Sequence, residues 1–165
     1  MEVLAVVGFA LLMLFGFVVV FGAPYLPTLT PQIETALDLL DLKPGQTMLE
    51  IGSGDGRVLK AAAARGWNVV GYELNPILLA FSLWHTRKYR GQVRLVWGNA
   101  FAKDWPEAAG IYIFGLNRLM PKLSTKIVQT QAKPVKLVSF GFKMPGHQPA
   151  REKNGVFLYK YHGRA

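Results

Sequence analysis

Three glycines spaced one residue apart, Gly52, Gly54 and Gly56, follow the run Met48-Leu49-Glu50-Ile51, and two carboxylates, Glu50 and Asp55, flank them. A third acid, Glu73, lies twenty-four residues beyond Leu49, at the end of Val69-Val70-Gly71-Tyr72. An apolar strand entering a tight glycine turn, then a helix, then a second strand ending in an acid is an arrangement that holds a nucleoside-bearing cofactor. Glycine lets main-chain atoms approach a ligand with no Cβ in between, so a larger side chain at Gly52 or Gly54 is expected to block binding.

The spacing and the charge narrow the ligand. The dinucleotide fingerprint is G-x-G-x-x-G, which these glycines do not follow. A pyrophosphate is disfavoured beside two carboxylates, whereas S-adenosylmethionine carries an ammonium and a sulfonium. The loop therefore reads as a methyltransferase loop. Glu50 and Asp55 are placed to accept from the methionine ammonium, directly or through water, with Gly52, Gly54 and Gly56 forming the cradle. Glu73 is placed to accept both ribose hydroxyls, and the amide of Asn99, in Gly98-Asn99-Ala100, to bond the adenine edge. Asparagine is also a common turn residue. His85 reads as a helix-face residue, and His147 and His162 have no carboxylates at ligand spacing, so no metal is expected. The four tryptophans read as packing residues, and no nucleophile-elbow or P-loop pattern occurs.

These residues need strands and helices in alternation to bring them together. Thr30-Pro31 opens a helix with Thr30 as N-cap and Ile33, Ala36, Leu37 and Leu40 on one stripe, ending before Pro44-Gly45. Strands are expected at Thr47 to Ile51, Asn68 to Tyr72, Val93 to Trp97, Ile111 to Phe114, Val135 to Phe140 and Val156 to Tyr161. Helices are expected after Gly56, from Asn75-Pro76 to about Tyr89, and from Met120-Pro121 to about Gln131. Such alternation gives an α/β, Rossmann-like fold: a mostly parallel sheet covered on both faces, with the last two strands as an antiparallel edge. Ligands bind at the carboxyl ends of such strands, which puts Gly52 to Gly56, Glu73, Asn99 and the Gly115 region on one rim.

From Val3 to Gly22 the chain carries no charge, and at ~1.5 Å per residue these twenty residues would span about 30 Å, the hydrocarbon thickness of a bilayer. The expected organisation is a transmembrane anchor at 1–23, a connecting segment and helix at 24–46, and a methyltransferase domain at 47–165. A single-pass membrane protein follows, a cleaved signal peptide or a buried core helix being the rivals, and the catalytic domain is placed in the cytoplasm because S-adenosylmethionine is made there. The net charge of +9 favours anionic partners such as a lipid surface, while the dispersed basic residues argue against nucleic acid. Cysteine is absent, which excludes disulfides, thiolate metal sites and cysteine nucleophiles.

The stretches Pro24-Tyr25-Leu26-Pro27-Thr28, Glu50 to Arg57, Gly71-Tyr72-Glu73-Leu74-Asn75-Pro76 and Ile113-Phe114-Gly115 resemble, in order and spacing, the small membrane-anchored protein-lysine methyltransferases. That family includes the enzymes acting on the ATP synthase c-subunit and on the adenine nucleotide translocase. The resemblance covers roughly Ala23 to Phe142. It implies a seven-strand-like core, S-adenosylmethionine as donor and a protein lysine as acceptor, a membrane-embedded substrate among the candidates. Thr28 stands where the family usually has serine, and the tail after Phe142 is weakly matched. A lysine acceptor must lose its proton, and a partly dry aromatic pocket helps by disfavouring the charged amine. Tyr25, Phe114 and Trp97 are candidates to line it, with Tyr25, Thr28 and Phe114 as the catalytic set. Tyr25 between Pro24 and Pro27 either folds over the cofactor or acts as a rigid spacer. A methyltransferase for a lipid, quinone or other small molecule, and a non-catalytic cofactor-binding protein, stay open as alternatives.

Overall fold

The computed structural model describes residues 2–9, 16, 26–115 and 117–163. Helix α1 (Thr30–Leu40) begins one position earlier than a Thr30 cap would allow. Leu29 is the N-cap, without a side-chain bond, and its carbonyl accepts from the amides of Gln32 and Ile33. Pro31 in the first turn has no N–H to satisfy, so the helix start tolerates a weak cap. Ile33, Ala36, Leu37 and Leu40 are buried along one stripe, and Asp41 closes the helix in a left-handed conformation.

Strand β1 (Thr47–Ile51) leads through the glycine turn into α2 (Arg57–Ala64), followed by β2 (Asn68–Glu73) and α3 (Pro76–His85). Next come β3 (Val93–Trp97), β4 (Gly110–Ile113), α4 (Met120–Thr130), β5 (Val135–Phe140), β6 (Arg151–Lys153) and β7 (Val156–Tyr161). The seven strands lie in the order β3-β2-β1-β4-β5-β7-β6. The first five run parallel, and β7 pairs antiparallel with both β5 and β6. The order reverses between β1 and β4, which opens a crevice outside their carboxyl ends.

Apolar side chains fill both faces. Leu37, Leu40, Met48, Leu59, Trp67, Tyr112 and Val138 form one core, and Leu49, Ile51, Ile111, Met120, Leu123, Ile127 and Leu137 the other. Alternation along β1 sends Met48 to the first face and Leu49 and Ile51 to the second, so Glu50 shares the face of Met48.

Two expectations are corrected here. The single-pass anchor over Val3 to Gly22, and with it the localisation as a single-pass membrane protein, is not supported. No helix among the described residues is long and apolar enough to cross a membrane. The helical residues 2–9 reach about 12 Å at 1.5 Å per residue, against a hydrocarbon core of about 30 Å. Residues 10–15 and 17–25 of that region lie outside the described residues. Secondly, α3 ends at His85, and Arg87–Tyr89 form a separate 3-10 turn. There the hydroxyl of Thr86 donates to the Ser82 carbonyl at 2.7 Å.

Candidate active site

The glycine turn is held to the sheet by its own main chain. Gly52 and Ser53 both donate to the Tyr72 carbonyl at 2.9 Å, which fixes the loop across the end of β2. Gly52 has φ +80°, and a Cβ there would meet no described atom within 4 Å, so its bare main chain faces open space. Gly54 donates to Glu73 Oε2 at 2.7 Å, and Asn75 donates to Oε1 at 2.8 Å. Asn75 in turn caps α3, its Oδ1 accepting from Ile77 and Leu78. Each Glu73 oxygen thus spends one acceptor position on a main-chain amide and keeps one for a ligand hydroxyl. Burial raises the Glu73 pKa, and the amides of Asn75, Gly54 and Leu74 pull it back down. The rim closes through Gly98, whose amide donates to the Glu73 carbonyl at 2.8 Å.

Glu50 is the more unusual acid. It is 2% exposed, and among the described residues its Oε2 has no hydrogen-bond partner. Burial pushes its carboxyl well above the ordinary value, the charges of Glu73 and Asp55 push it further, and a Leu59 amide opposes them. A dry carboxyl with an unpartnered oxygen and two acidic neighbours is a site that favours a cation.

Asp55 is turned to a different partner. Arg57 Nη2 donates to its Oδ2 at 2.7 Å, and Arg57 Nε reaches both carboxylate oxygens at 3.0 and 3.1 Å. Arg57 Nη1 also donates to the Thr28 carbonyl at 3.3 Å, which ties the segment before α1 to the loop. The ring Nδ1 of His85 lies 2.7 Å from the Asp55 carbonyl. Gly56 caps α2 and lies against α3, where a Cβ would come within 2.3 Å of Ser82 Oγ. Asn99 is exposed, and its Oδ1 accepts from Phe101 N at 3.0 Å, capping the 3-10 turn Ala100–Ala102.

Thr28 is buried, with its hydroxyl 3.1 Å from that of Tyr112 on β4. Tyr112 stands level with Glu50 in the register, and its phenol is pushed up by burial and by the Glu50 charge, against the Thr28 hydrogen bond. Thr28→Val leaves the Tyr112 hydroxyl without that partner in a dry core. Stability should fall by about 1–3 kcal/mol in a denaturant titration, with Thr28→Ser restoring most of it. Phe114, half-buried just after β4, packs its ring on Phe140 at 4.7 Å between centroids. Trp97 is 62% exposed and donates to the Leu74 carbonyl. Trp97 ends β3 and Phe114 follows β4, strands three places apart in the sheet and so about 14 Å at ~4.8 Å per strand. Tyr25 lies outside the described residues. Arg57 and Tyr112 are the participants that motif reading passed over. Tyr112 carried a signal, as a lone hydroxyl in Ile111-Tyr112-Ile113.

A parallel sheet reversing beside a glycine turn, an acid closing β2 and an antiparallel edge together define the Rossmann-like methyltransferase class. The family model described as the ANTKMT methyltransferase domain matches residues 50–151. The chain belongs to that family. It is 34% identical over 135 residues to an ATP synthase c-subunit lysine N-methyltransferase from Xenopus laevis, covering 76% of this chain and 56% of that protein. With the Caenorhabditis elegans protein of the same name it shares 31% identity, covering 83% and 80%. Against the first four vertebrate relatives the chain spans only 51–59% of their length. A crystal structure of an RNA methyltransferase from Salinibacter ruber, in complex with S-adenosyl-L-homocysteine, superposes with a TM-score of 0.75. It is 26% identical, and the match covers 84% of this chain and 94% of that one.

Proposed function

We propose that this chain is an S-adenosylmethionine-dependent methyltransferase that modifies a protein lysine side chain. The observation that carries the reading is the buried Glu50 carboxyl, with its unpartnered oxygen, beside the open main chain of Gly52 and the amide-braced Glu73. Family membership and the relatives named as lysine N-methyltransferases support the acceptor class. When bound, S-adenosylmethionine supplies an electrophilic methyl group on a sulfonium.

Glu50 holds the ammonium end, the Gly52–Gly54 main chain lies along the ligand, and Glu73 takes the ribose hydroxyls. Asn99 stands on the adenine side of the rim. Asp55 acts at one remove, because its carboxylate is engaged by Arg57. Phe114 and Thr28 border the acceptor, Tyr25 is a third candidate on sequence grounds alone, and a partly dry aromatic setting there favours the neutral amine that methyl transfer needs. Positioning and exclusion of water carry the rate, since an uncharged amine displacing a sulfonium needs little further help.

Incubation with labelled donor and membrane and soluble fractions from cells lacking the protein tests the reading, followed by mass mapping of labelled peptides. Label on a lysine side chain is the expected result. Label in RNA or in a lipid extract, or no transfer at all, would refute it.

Glu50 also predicts a pH signature. Its raised folded-state pKa means that the unliganded fold loses stability as pH climbs from the ordinary carboxylate range through the raised value. A bound ammonium favours the ionised form, so binding of S-adenosylhomocysteine should release a proton over that window. Affinity should rise with pH and then level off. Calorimetry in buffers of different ionisation enthalpy reads the proton directly, and Glu50→Gln should bind weakly with no pH dependence from this group. A proton count of zero across the window would remove Glu50 from the ammonium site.

A further inference from the structure

Helix α3 is apolar nearly throughout, yet Ser82 is its only buried residue. Ile77, Phe81 and Trp84, spaced i, i+4 and i+7, form one stripe, with exposures of 41%, 54% and 58%. Leu83 is also exposed, farther round the helix, and Trp97 on the edge strand β3 bonds the Leu74 carbonyl at the N-terminal end of the helix. Contiguous apolar surface of this kind is rare on a protein that meets only water.

The charge carried by the helix and the segment after it has one sign, the nearby acids Glu73 and Asp55 being buried at the glycine turn. Residues 74–103 carry Arg87, Lys88, Arg90, Arg94 and Lys103 and no acid. Arg87 lies 4.6 Å over the Trp84 ring, at the end of the stripe, and Lys88, Arg90 and Arg94 are exposed.

We propose that the α3 face is a docking surface for an anionic phospholipid bilayer, with the helix lying in the interfacial plane. An apolar stripe bordered by cations fits the boundary between acyl chains and negative headgroups, and exposed indoles suit the same depth. A ten-residue helix of about 15 Å crosses nothing, so this is surface attachment only. A second copy of the chain would bring two cationic belts together. Single-stranded RNA would stack on Phe81, Trp84 and Trp97 but leave aliphatic Ile77 and Leu83 exposed to water.

The experiment uses the full chain with vesicles of brominated phosphatidylcholine, alone or mixed with phosphatidylglycerol. All four tryptophans follow residue 66, and Trp67 and Trp105 are buried, so quenching reports Trp84 and Trp97 independently of the apolar stretch at the start of the chain. Quenching should be strong on the anionic vesicles and weak on the zwitterionic ones. The pair Ile77→Ser/Phe81→Ser should lower the apparent partition by about tenfold or more. The pair Arg87→Glu/Arg90→Glu, which leaves the apolar stripe intact, should lower it by about tenfold on anionic vesicles only. Both pairs are at exposed positions, and unchanged near-ultraviolet circular dichroism verifies the fold. Quenching that persists in both pairs, or is equal on the two vesicle types, overturns the proposal. So does loss of a dimer in sedimentation, or of RNA retention, in the variants while vesicle quenching is unchanged.

Discussion

Gly56→Ala should be among the most destabilising single substitutions in the chain, independently of any part Gly56 takes in the cofactor cradle. The new Cβ would stand 2.3 Å from Ser82 Oγ and 2.9 Å from Ser82 Cα, and the second of these is α3 main chain that cannot rotate away. Gly56 also has φ +81°, a left-handed conformation that adds about 1 kcal/mol for alanine. Overpacking of this kind with backbone strain should total more than about 3 kcal/mol, lowering the thermal midpoint by roughly 10 °C. Gly52→Ala is the control. It has nearly the same φ, +80°, but a Cβ there enters open space, so only the strain of about 1 kcal/mol remains. That variant should stay folded and lose affinity for S-adenosylhomocysteine, because the methyl group occupies the crevice. Adding Ser82→Gly to Gly56→Ala removes the Oγ and Cβ contacts and should recover part of the loss. Equal stability of the two alanine variants would show that the α2–α3 contact does not constrain Gly56.

The contrast between these glycines marks what a linear reading of the chain can and cannot reach. Spacing shows Gly52, Gly54 and Gly56 as one motif, and Glu50 and Glu73 as its acids, because strand, turn, helix and strand are consecutive. The partner of Gly56 is Ser82, on a different helix, and no local pattern announces it. The Thr28–Tyr112 hydrogen bond joins residues 84 apart for the same reason. Asp55 was legible as an acid near the ligand, but its pairing with Arg57 depends on rotamers, which motif spacing does not encode.

Strands marked by apolar runs were easiest to find, including the partly covered edge strand β3. Thr47–Ile51, Val93–Trp97, Val135–Phe140 and Val156–Tyr161 have the bounds that their apolar runs suggest. Strand β6 escaped because Arg151, Glu152 and Lys153 are all exposed and form a strand only by pairing with β7. Hydropathy at the start of the chain fixes only the length of an apolar run, and the described helical residues 2–9 are too few to cross a bilayer. The sequence places a helix after Asn75-Pro76 without showing which face is covered, and the fold leaves Ile77, Phe81 and Trp84 outside.

Glu73→Ala should abolish detectable cofactor binding at ordinary concentrations and weaken the fold as well. Its two oxygens accept from Gly54 and Asn75, so removing the carboxylate leaves two amides at a buried position without acceptors. At about 1–3 kcal/mol for each unmet group, the loss of stability should be about 2–6 kcal/mol in a denaturant titration. Charge-assisted bonds to two ribose hydroxyls would add about 1.5–3 kcal/mol each, so affinity for S-adenosylhomocysteine should fall by at least ~100-fold. Glu73→Gln separates charge from shape. A glutamine presents one carbonyl and one NH2, so it can satisfy only one of the two main-chain donors and must set a donor against the other. It should therefore lose most of the stability that alanine loses, despite its near-identical volume. Glu73→Asp keeps the charge on a side chain one methylene shorter, which cannot span the two amides at 2.7 and 2.8 Å without moving the loop. Titration calorimetry on the three variants ranks them, with aspartate expected to bind best. If Glu73→Ala bound within threefold of the parent chain, the acid at the end of β2 would serve only to brace the glycine turn, and the ribose would have to be held elsewhere on the rim.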